Sequence, residues 1–176
     1  VNEAWIAATT ANTTAKIGRM ELDTPLAFTE KWSIEKNTFE AAVLINTDIS
    51  NTTLVGAYVG RGNGTGDGQG VVATGGEFTN FGGKGAYVVG AVNSTVPNTN
   101  IQAWYYNVTD LATGLWLQAN TTVLGSIDLG AQYASIELDA SGNTSTATAV
   151  RVGYKYGDLK TFAAYSQTGK DGAGNI

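Results

Sequence analysis

Short segments in which apolar and polar residues alternate recur along the whole chain. Within residues 147–157, for example, Val150 and Val152 fall on one side of an extended strand, and Arg151 and Lys155 fall on the other. The segments are rich in Thr, Val, Ile and Tyr, and clusters of Gly, Asn, Asp and Ser separate them, which is typical of strands and turns. No apolar stripe with the helical period of about 3.6 residues is present. The pattern therefore predicts an all-β chain.

The alternation predicts about ten strands joined in an antiparallel, up-and-down order. They are expected near residues 1–8, 15–22, 38–46, 53–60, 85–93, 101–108, 113–123, 126–138, 147–157 and 160–168. Tight turns alternate with longer connections, which are expected near 23–37, 61–84, 139–146 and from 169 onward. Because every second connection of such a sheet emerges at the same end, turns and loops would lie at opposite ends, as in transmembrane β-barrels. We therefore expect residues 1–176 to be part of a single β-barrel domain with external loops at those four places.

The same alternation also fits a soluble or cell-surface β-sandwich, or an adhesin-like module that binds a partner through its loops. Mid-strand charges favour the barrel, because a dry core would penalise each charge by several kcal/mol and a water-filled lumen would not. These charges are Glu40, Asp128, Arg151 and Lys155. Aromatic residues near strand ends would form the girdles of a membrane barrel. The girdle candidates are Trp5, Tyr58, Trp104, Tyr106, Tyr154 and Tyr156.

Composition excludes several classes of function. The chain has no Cys and no His, which removes thiolate and imidazole metal ligands and the commonest general base, so we expect it not to be an enzyme. A net charge of -5 argues against nucleic acid as a partner and hints at a preference for cations. No apolar run approaches the roughly 20 residues of a membrane helix, whereas a membrane β-strand needs only about 10 alternating residues.

A glycine-rich segment, Gly60–Gly70, resembles a phosphate-binding loop only in composition. It lacks the Gly-Lys-Ser/Thr sequence and the following helix that such a loop requires, and it occurs once rather than as tandem calcium-binding repeats. We interpret it as a surface loop. The glycines between 75 and 83, around Phe78 and Phe81, would let this loop fold back into a lumen and narrow it.

Two parts of the chain resemble a known family of outer-membrane proteins. Residues Gly18–Leu26 (GRMELDTPL), followed by Asn37–Ala41 (NTFEA), resemble a strand–loop–strand segment of the OprD-like porins, a grouping that includes the major outer-membrane porins of epsilon-proteobacteria. Residues Val152–Gly157 and Thr161–Tyr165 are similar to a hairpin of the same family. The chain departs from the family at Met20, where Gln is common.

The resemblance implies a porin, a barrel of about eighteen strands through which ions and small hydrophilic solutes diffuse passively across the outer membrane of a Gram-negative bacterium. Because only about ten strands are predicted here, we expect the chain to be an internal part of a longer polypeptide. The partners implied are the solutes, outer-membrane lipid and further copies of the chain in a homotrimer. No cofactor is implied, except that some relatives bind calcium in the pore.

Six polar residues are candidates for the lining of this pore. Two are assigned by their positions in the matching motif, and four because they alternate with apolar residues along their strands. They are Arg19 and Glu40 from the motif, and Gln118, Asp128, Arg151 and Lys155 from the alternation. No residue is assigned to catalysis or to metal binding.

Overall fold

One antiparallel sheet contains all the strands of the described residues, which are 3–31, 36–64 and 77–169 of a computed structural model. The strands are β1 (Ala4–Thr10), β2 (Thr13–Met20), β3 (Phe39–Asn46), β4 (Thr52–Gly62), β5 (Thr79–Asn80), β6 (Ala86–Asn93), β7 (Thr99–Val108), β8 (Ala112–Val123), β9 (Ile127–Leu138), β10 (Thr144–Tyr156) and β11 (Leu159–Thr168). The order in the sheet is the order in the chain, except that the short β5 pairs only with β4. The predicted all-β, up-and-down antiparallel sheet is therefore confirmed.

The ten predicted strands correspond to the ten long strands, and β5 is an addition that the sequence pattern does not show. A β-sandwich requires two sheets packed face to face, whereas the described residues form a single sheet. The first, second and fourth predicted loops fall partly outside the described residues, at 32–35, 65–76 and 170–176. No helix in the described ranges is long and apolar enough to cross a membrane.

Backbone pairing divides the side chains between two faces, because residues directly opposite each other across an antiparallel ladder point the same way. One of these, the apolar face, carries large exposed apolar side chains from nearly every long strand. They include Ile6, Ile17, Leu44, Leu54, Tyr87, Val89, Ile101, Tyr105, Leu117, Leu129, Val150, Val152 and Tyr165. Ile6 is 72% exposed and Tyr165 is 65% exposed, so the described residues leave this face open.

The opposite face, called here the loop-covered face, holds the buried core. One cluster consists of Met20, Phe39, Ala41 and Val59, with Leu22 and Phe81 packed against it from the connections after β2 and β5. A second consists of Ala27, Val88, Trp104 and Tyr106, with Leu26 packed against it. The core therefore forms where connections at the long-loop end fold over one face of the sheet.

The aromatic residues predicted for membrane girdles divide between the two faces. Tyr58, Tyr154 and Tyr156 are in phase with the apolar face, as predicted. The prediction is wrong for Trp5, Trp104 and Tyr106, which lie on the loop-covered face. Trp104 and Tyr106 are buried there because the connection after β2 packs over them.

Gly18 lies where β2 passes close to β1. Its φ of +129° is a conformation that residues with a side chain rarely adopt. A Cβ atom added at Gly18 would overlap the carbonyl oxygen of Ala4 and lie 2.7 Å from the Cα atom of Trp5. A Cβ atom added at Gly56, within β4, would meet nothing within 4 Å. The two glycines therefore provide a matched test of the β1–β2 contact.

We expect Gly18→Ala to lower the free energy of unfolding by about 1–3 kcal/mol, because the added methyl group strains the backbone and separates β1 from β2. Gly56→Ala should change it by less than about 0.5 kcal/mol. Urea unfolding of the full-length protein in detergent micelles, followed by tryptophan fluorescence, measures both. Equal stability of the two variants would contradict the close approach of β1 and β2.

Candidate functional site

Four of the six predicted pore-lining residues lie on the loop-covered face, in the half of the sheet formed by β8 to β11. In the pairing of β8 with β9, Gln118 is opposite Gln132 and Asp128 is opposite Thr122. In the pairing of β9 with β10, Arg151 is opposite Gly130 and Asp128 is opposite Gly153. Lys155 is opposite Lys160 on β11. All of these positions are in one phase of the strands, so the structure brings the four residues onto a common surface. Whether that surface lines a pore stays a prediction at this point.

The structure corrects the prediction for Arg19 and Glu40. Their backbones are paired with each other, and both are in phase with Ile17 and Ala42, so their side chains lie on the apolar face at its long-loop end. A sequence motif identifies a segment but does not determine which face its polar residues occupy. These two residues therefore do not share a surface with Gln118 and Arg151.

Arg19 and Glu40 belong to a cluster that joins β2, β3, β4 and Phe78, the residue before β5. Arg19 Nε lies 2.8 Å from Glu40 Oε1, and Arg61 Nη1 lies 3.4 Å from Glu40 Oε2. Arg61 reaches Glu40 because the ladder between β3 and β4 shifts register between Glu40 and Ala41, which turns Arg61 onto the same face. Arg61 Nη2 also donates to the carbonyl oxygen of Phe78 at 2.6 Å. The cluster holds the end of the long connection against the sheet.

Side-chain amides form two neighbouring rows across β7, β8 and β9 on the loop-covered face. One row contains Gln102, Gln118 and Gln132, and the other contains Asn100 and Asn120. Sequence reasoning assigned only Gln118. The other four were missed, although their alternation within their strands follows the same rule that identified Gln118.

Two tryptophans fix the orientation of the glutamines in the first row. Trp104 Nε1 donates to Gln102 Oε1 at 2.8 Å, and Trp116 Nε1 donates to Gln118 Oε1 at 3.3 Å. Gln132 Nε2 also donates to Gln118 Oε1, at 3.1 Å. Because an indole N–H is only a donor, these contacts determine which amide atom is the oxygen. The NH2 groups of Gln102 and Gln118 therefore point away from the indoles.

A polar depression of about 300 Å³ lies beside these rows. Gln118, Asn120, Gln132 and Arg151 contribute its polar groups, and small residues at Gly130, Ala149 and Ala164 leave the space open. A Cβ atom at Gly130 would lie 2.9 Å from Asn120 Oδ1, so even alanine at this position would displace that amide. Glycine at position 130 therefore leaves room for the Asn120 amide in its present position.

Charge on the strands of the loop-covered face is mostly positive. The described strands place Lys16, Arg151, Lys155 and Lys160 there, against Asp128 alone. Asp128 accepts a hydrogen bond from Thr122 Oγ1 at 2.7 Å. The other acidic residues of the described ranges lie outside the strands, apart from Glu40 and Glu137, which are in phase with the apolar face. The sign of the net charge of the chain is therefore opposite to the sign of this surface.

The connection after β2 folds across the long-loop end of the loop-covered face. Asp23 and Phe28 form a short antiparallel bridge, and Thr24 closes the turn by donating from Oγ1 to the carbonyl oxygen of Ala27 at 2.7 Å. The backbone N–H of Leu26 donates to the hydroxyl oxygen of Tyr106 at 3.3 Å. Phe81, from the next connection, packs edge-on against Phe39 on the same face, with ring centroids 5.9 Å apart.

Phe81 lies on the loop-covered face, in agreement with the predicted return of the glycine-rich loop onto this face. Gly75 and Gly76, which belonged to the same prediction, lie outside the described residues. The connection after β2 also covers this face, although the sequence pattern gave no indication of it.

Glu21 fixes the base of the connection after β2. Lys31 Nζ lies 2.6 Å from Glu21 Oε2, and Lys36 contacts both Glu21 and Glu3. The hydrogen bonds from Lys31 and then Lys36 lower the pKa of Glu21 to about 2. The carboxylate therefore stays ionised throughout the neutral and mildly acidic range.

No protein-family model and no curated protein matches the chain. Solved structures do match it. OpdK, an outer membrane protein of Pseudomonas aeruginosa, is similar with a TM-score of 0.79 and 15% identity, over 94% of this chain and 47% of that one. OpdO of the same organism is similar with a TM-score of 0.76 and 17% identity, over 92% and 45%. OccAB3 of Acinetobacter baumannii gives 0.74 and 12%, over 92% and 43%.

These neighbours are OprD/Occ porins, and the chain spans less than half of their length. At such low identity the likeness shows the fold. The resemblance to OprD-like porins is thus supported in its coarser form, whereas the narrower likeness to the epsilon-proteobacterial members stays a prediction. The described sheet corresponds in fold to a part of an OprD-type β-barrel that amounts to about 45% of it.

We expect Glu21→Gln to loosen the connection after β2, because it removes the charge that holds Lys31 and Lys36. The chain has no Cys, so a nitroxide attached through Phe28→Cys reports the mobility of this connection by electron paramagnetic resonance. Since Glu21 has a lowered pKa, its contribution is present above about pH 4.5 and is lost as the pH falls towards 2. The label should therefore become more mobile in strong acid, and in Glu21→Gln it should already be mobile at pH 7.

Asp139→Asn, at the β9–β10 connection, is the control for the loss of one carboxylate and should leave the label immobile at pH 7. A label equally immobile in Glu21→Gln and Asp139→Asn would show that the ion pairs do not hold the connection.

Proposed function

We propose that the chain is part of an outer-membrane porin, a passive diffusion channel for ions and small hydrophilic solutes. The observation that carries the proposal is the division of a single sheet into an exposed apolar face and a polar, loop-covered face. In a barrel the first would contact lipid and the second would form the pore wall. Neither face requires a covalent reaction, so we propose a channel rather than an enzyme.

The dimensions of the strands support a membrane-spanning role. Strands β8, β9 and β10 contain 12, 12 and 13 residues. At about 3.3 Å per residue such strands are roughly 40 Å long, and a tilt of about 45° reduces their height to roughly 30 Å, the thickness of a bilayer core. An antiparallel sheet that closes into a barrel also satisfies the backbone hydrogen bonds that lipid cannot satisfy. The exposed apolar face would be costly in water and is well suited to lipid.

The pore wall formed by these strands favours anions over cations. Lys16, Arg151, Lys155 and Lys160 lie on it, and Asp128 alone opposes them in the described strands. The net acidity of the chain suggested cations, but most of the acidic side chains lie in the connections. Selectivity depends on the charge that lines the pore, and not on the charge of the whole chain.

The connection after β2 is positioned to narrow the pore at its long-loop end. Its residues Leu26 and Ala27 pack on the loop-covered face against Trp104 and Tyr106, so they occupy space that the lumen would otherwise include. We propose further that the porin lies in the outer membrane of a Gram-negative bacterium and is a homotrimer, as the family resemblance implies. We propose no cofactor, because calcium is implied by the family resemblance alone and the described residues contain no group of three or more acidic side chains that could hold a metal ion.

The full-length, detergent-extracted protein should produce discrete and stable current steps in a planar lipid bilayer. This result is expected because a closed barrel with a polar wall conducts ions without a further component. Folded, monodisperse protein that stays soluble without detergent and produces no current would contradict the proposal.

Removal of positive charge from the pore wall should shift the selectivity towards cations. Arg151→Gln should move the reversal potential in a salt gradient in that direction, and the double reversal Arg151→Glu with Lys155→Glu should move it further. Lys84→Gln removes the same charge from a connection, where Lys84 pairs with Asp110, and should leave the reversal potential unchanged. A reversal potential that is the same in the wild type and both Arg151 variants would remove this residue from the lumen.

A further inference from the structure

We infer that the two amide rows on β7, β8 and β9 form a binding subsite for the hydroxyl groups of a small polyhydroxylated solute, such as a sugar or a sugar acid. The inference rests on the proposed porin function, because it requires that the loop-covered face is the pore wall. It adds to that function a chemical class of solute and the residues that recognise it.

The first reason is that the glutamine amides are held in fixed orientations. Trp104 and Trp116 occupy the oxygens of Gln102 and Gln118, at 2.8 Å and 3.3 Å, which leaves NH2 donors directed away from the indoles. Gln132 uses its NH2 group on Gln118 at 3.1 Å, which leaves its oxygen as an acceptor. A side chain that is already oriented loses less conformational entropy when it binds a solute.

The second reason is that these groups surround a space of suitable size. The depression of about 300 Å³ between Gln118, Asn120, Gln132 and Arg151 is large enough to hold a monosaccharide. Its floor is formed by small residues, among them Gly130 and Ala149. A solute could therefore reach the amides without displacing a large side chain.

The third reason is the chemical mixture of the lining. A hydroxyl group both donates and accepts a hydrogen bond, and so does a row of amides. The lining contains three amide side chains and a single charged group, the guanidinium of Arg151. Asp128 lies on the same face, two residue pairs further along the β9–β10 ladder. The subsite is thus built from neutral hydrogen-bonding groups to a greater extent than from charge.

The test measures solute-induced current noise of the full-length protein in planar bilayers, with three probes of similar chemistry. Glucose carries hydroxyl groups alone, gluconate carries hydroxyl groups and a carboxylate, and propionate carries a carboxylate alone. We expect glucose and gluconate to give saturable noise. In the variant Gln118→Leu with Gln132→Leu, their half-saturating concentrations should rise by about fivefold to tenfold, the effect of losing one or two neutral hydrogen bonds.

A matched control removes another polar pair from the same face. Thr9 Oγ1 and Thr14 Oγ1 lie 2.9 Å apart on β1 and β2, far along the sheet from the amides. The variant Thr9→Val with Thr14→Val should leave the response to all three probes as it is in the wild type. Gly130→Ala is an independent test, because its methyl group displaces the Asn120 amide. It should also raise the half-saturating concentrations of glucose and gluconate.

The outcomes separate this inference from the proposed function. Saturation by propionate and gluconate but not by glucose would overturn the inference and indicate an anion site at Arg151. Ionic current without saturation by any probe, or with the same saturation in wild type and both amide-site variants, would overturn it and leave the porin function standing. Folded protein without ionic current would overturn both.

Discussion

The antiparallel backbone ladder is the constraint on which the rest of this structure depends. A continuous register places every second side chain on the same face, so one shift would exchange the apolar face with the polar one along a whole strand. The pairing register is continuous from β6 to β10, so the two faces stay separate along these strands. Val150 and Arg151, for example, lie on opposite faces. The register shifts next to Glu40, and this local exception brings Arg61 to the carboxylate of Glu40.

A single sheet cannot bury its side chains against a second sheet or a layer of helices. The chain meets this constraint in two different ways on its two faces. The loop-covered face is packed at one end by Leu26, Ala27 and Phe81, and elsewhere it carries amides and cations that remain hydrated. The apolar face has no such cover among the described residues, and lipid would supply it. The apolar face and the hydrated part of the loop-covered face are therefore separated only by the thickness of one sheet.

The sequence was sufficient to predict the strands and, where strands are regular, the two faces. Arg151 and Val150 were assigned correctly to opposite sides because a period of two needs no tertiary information. Arg19 and Glu40 were misplaced because a motif match does not reveal the phase of a strand. The burial of Tyr106 was also out of reach, since it depends on Leu26, which is 80 residues away in the chain. Local alternation contains no information about a connection that folds over a distant strand.

Pairing only between chain neighbours has a consequence for the order of folding. Each long strand pairs with the preceding long strand, across a loop no longer than the connection between β4 and β6, so the entropic cost of assembly is divided into steps from hairpin to hairpin. The contact between Leu26 and Tyr106 is different, because it spans 80 residues and needs β7 already in place. Its large loop closes cheaply only after the intervening strands have formed. The wall of the sheet would therefore form first, and the segment that narrows the passage would settle onto it last.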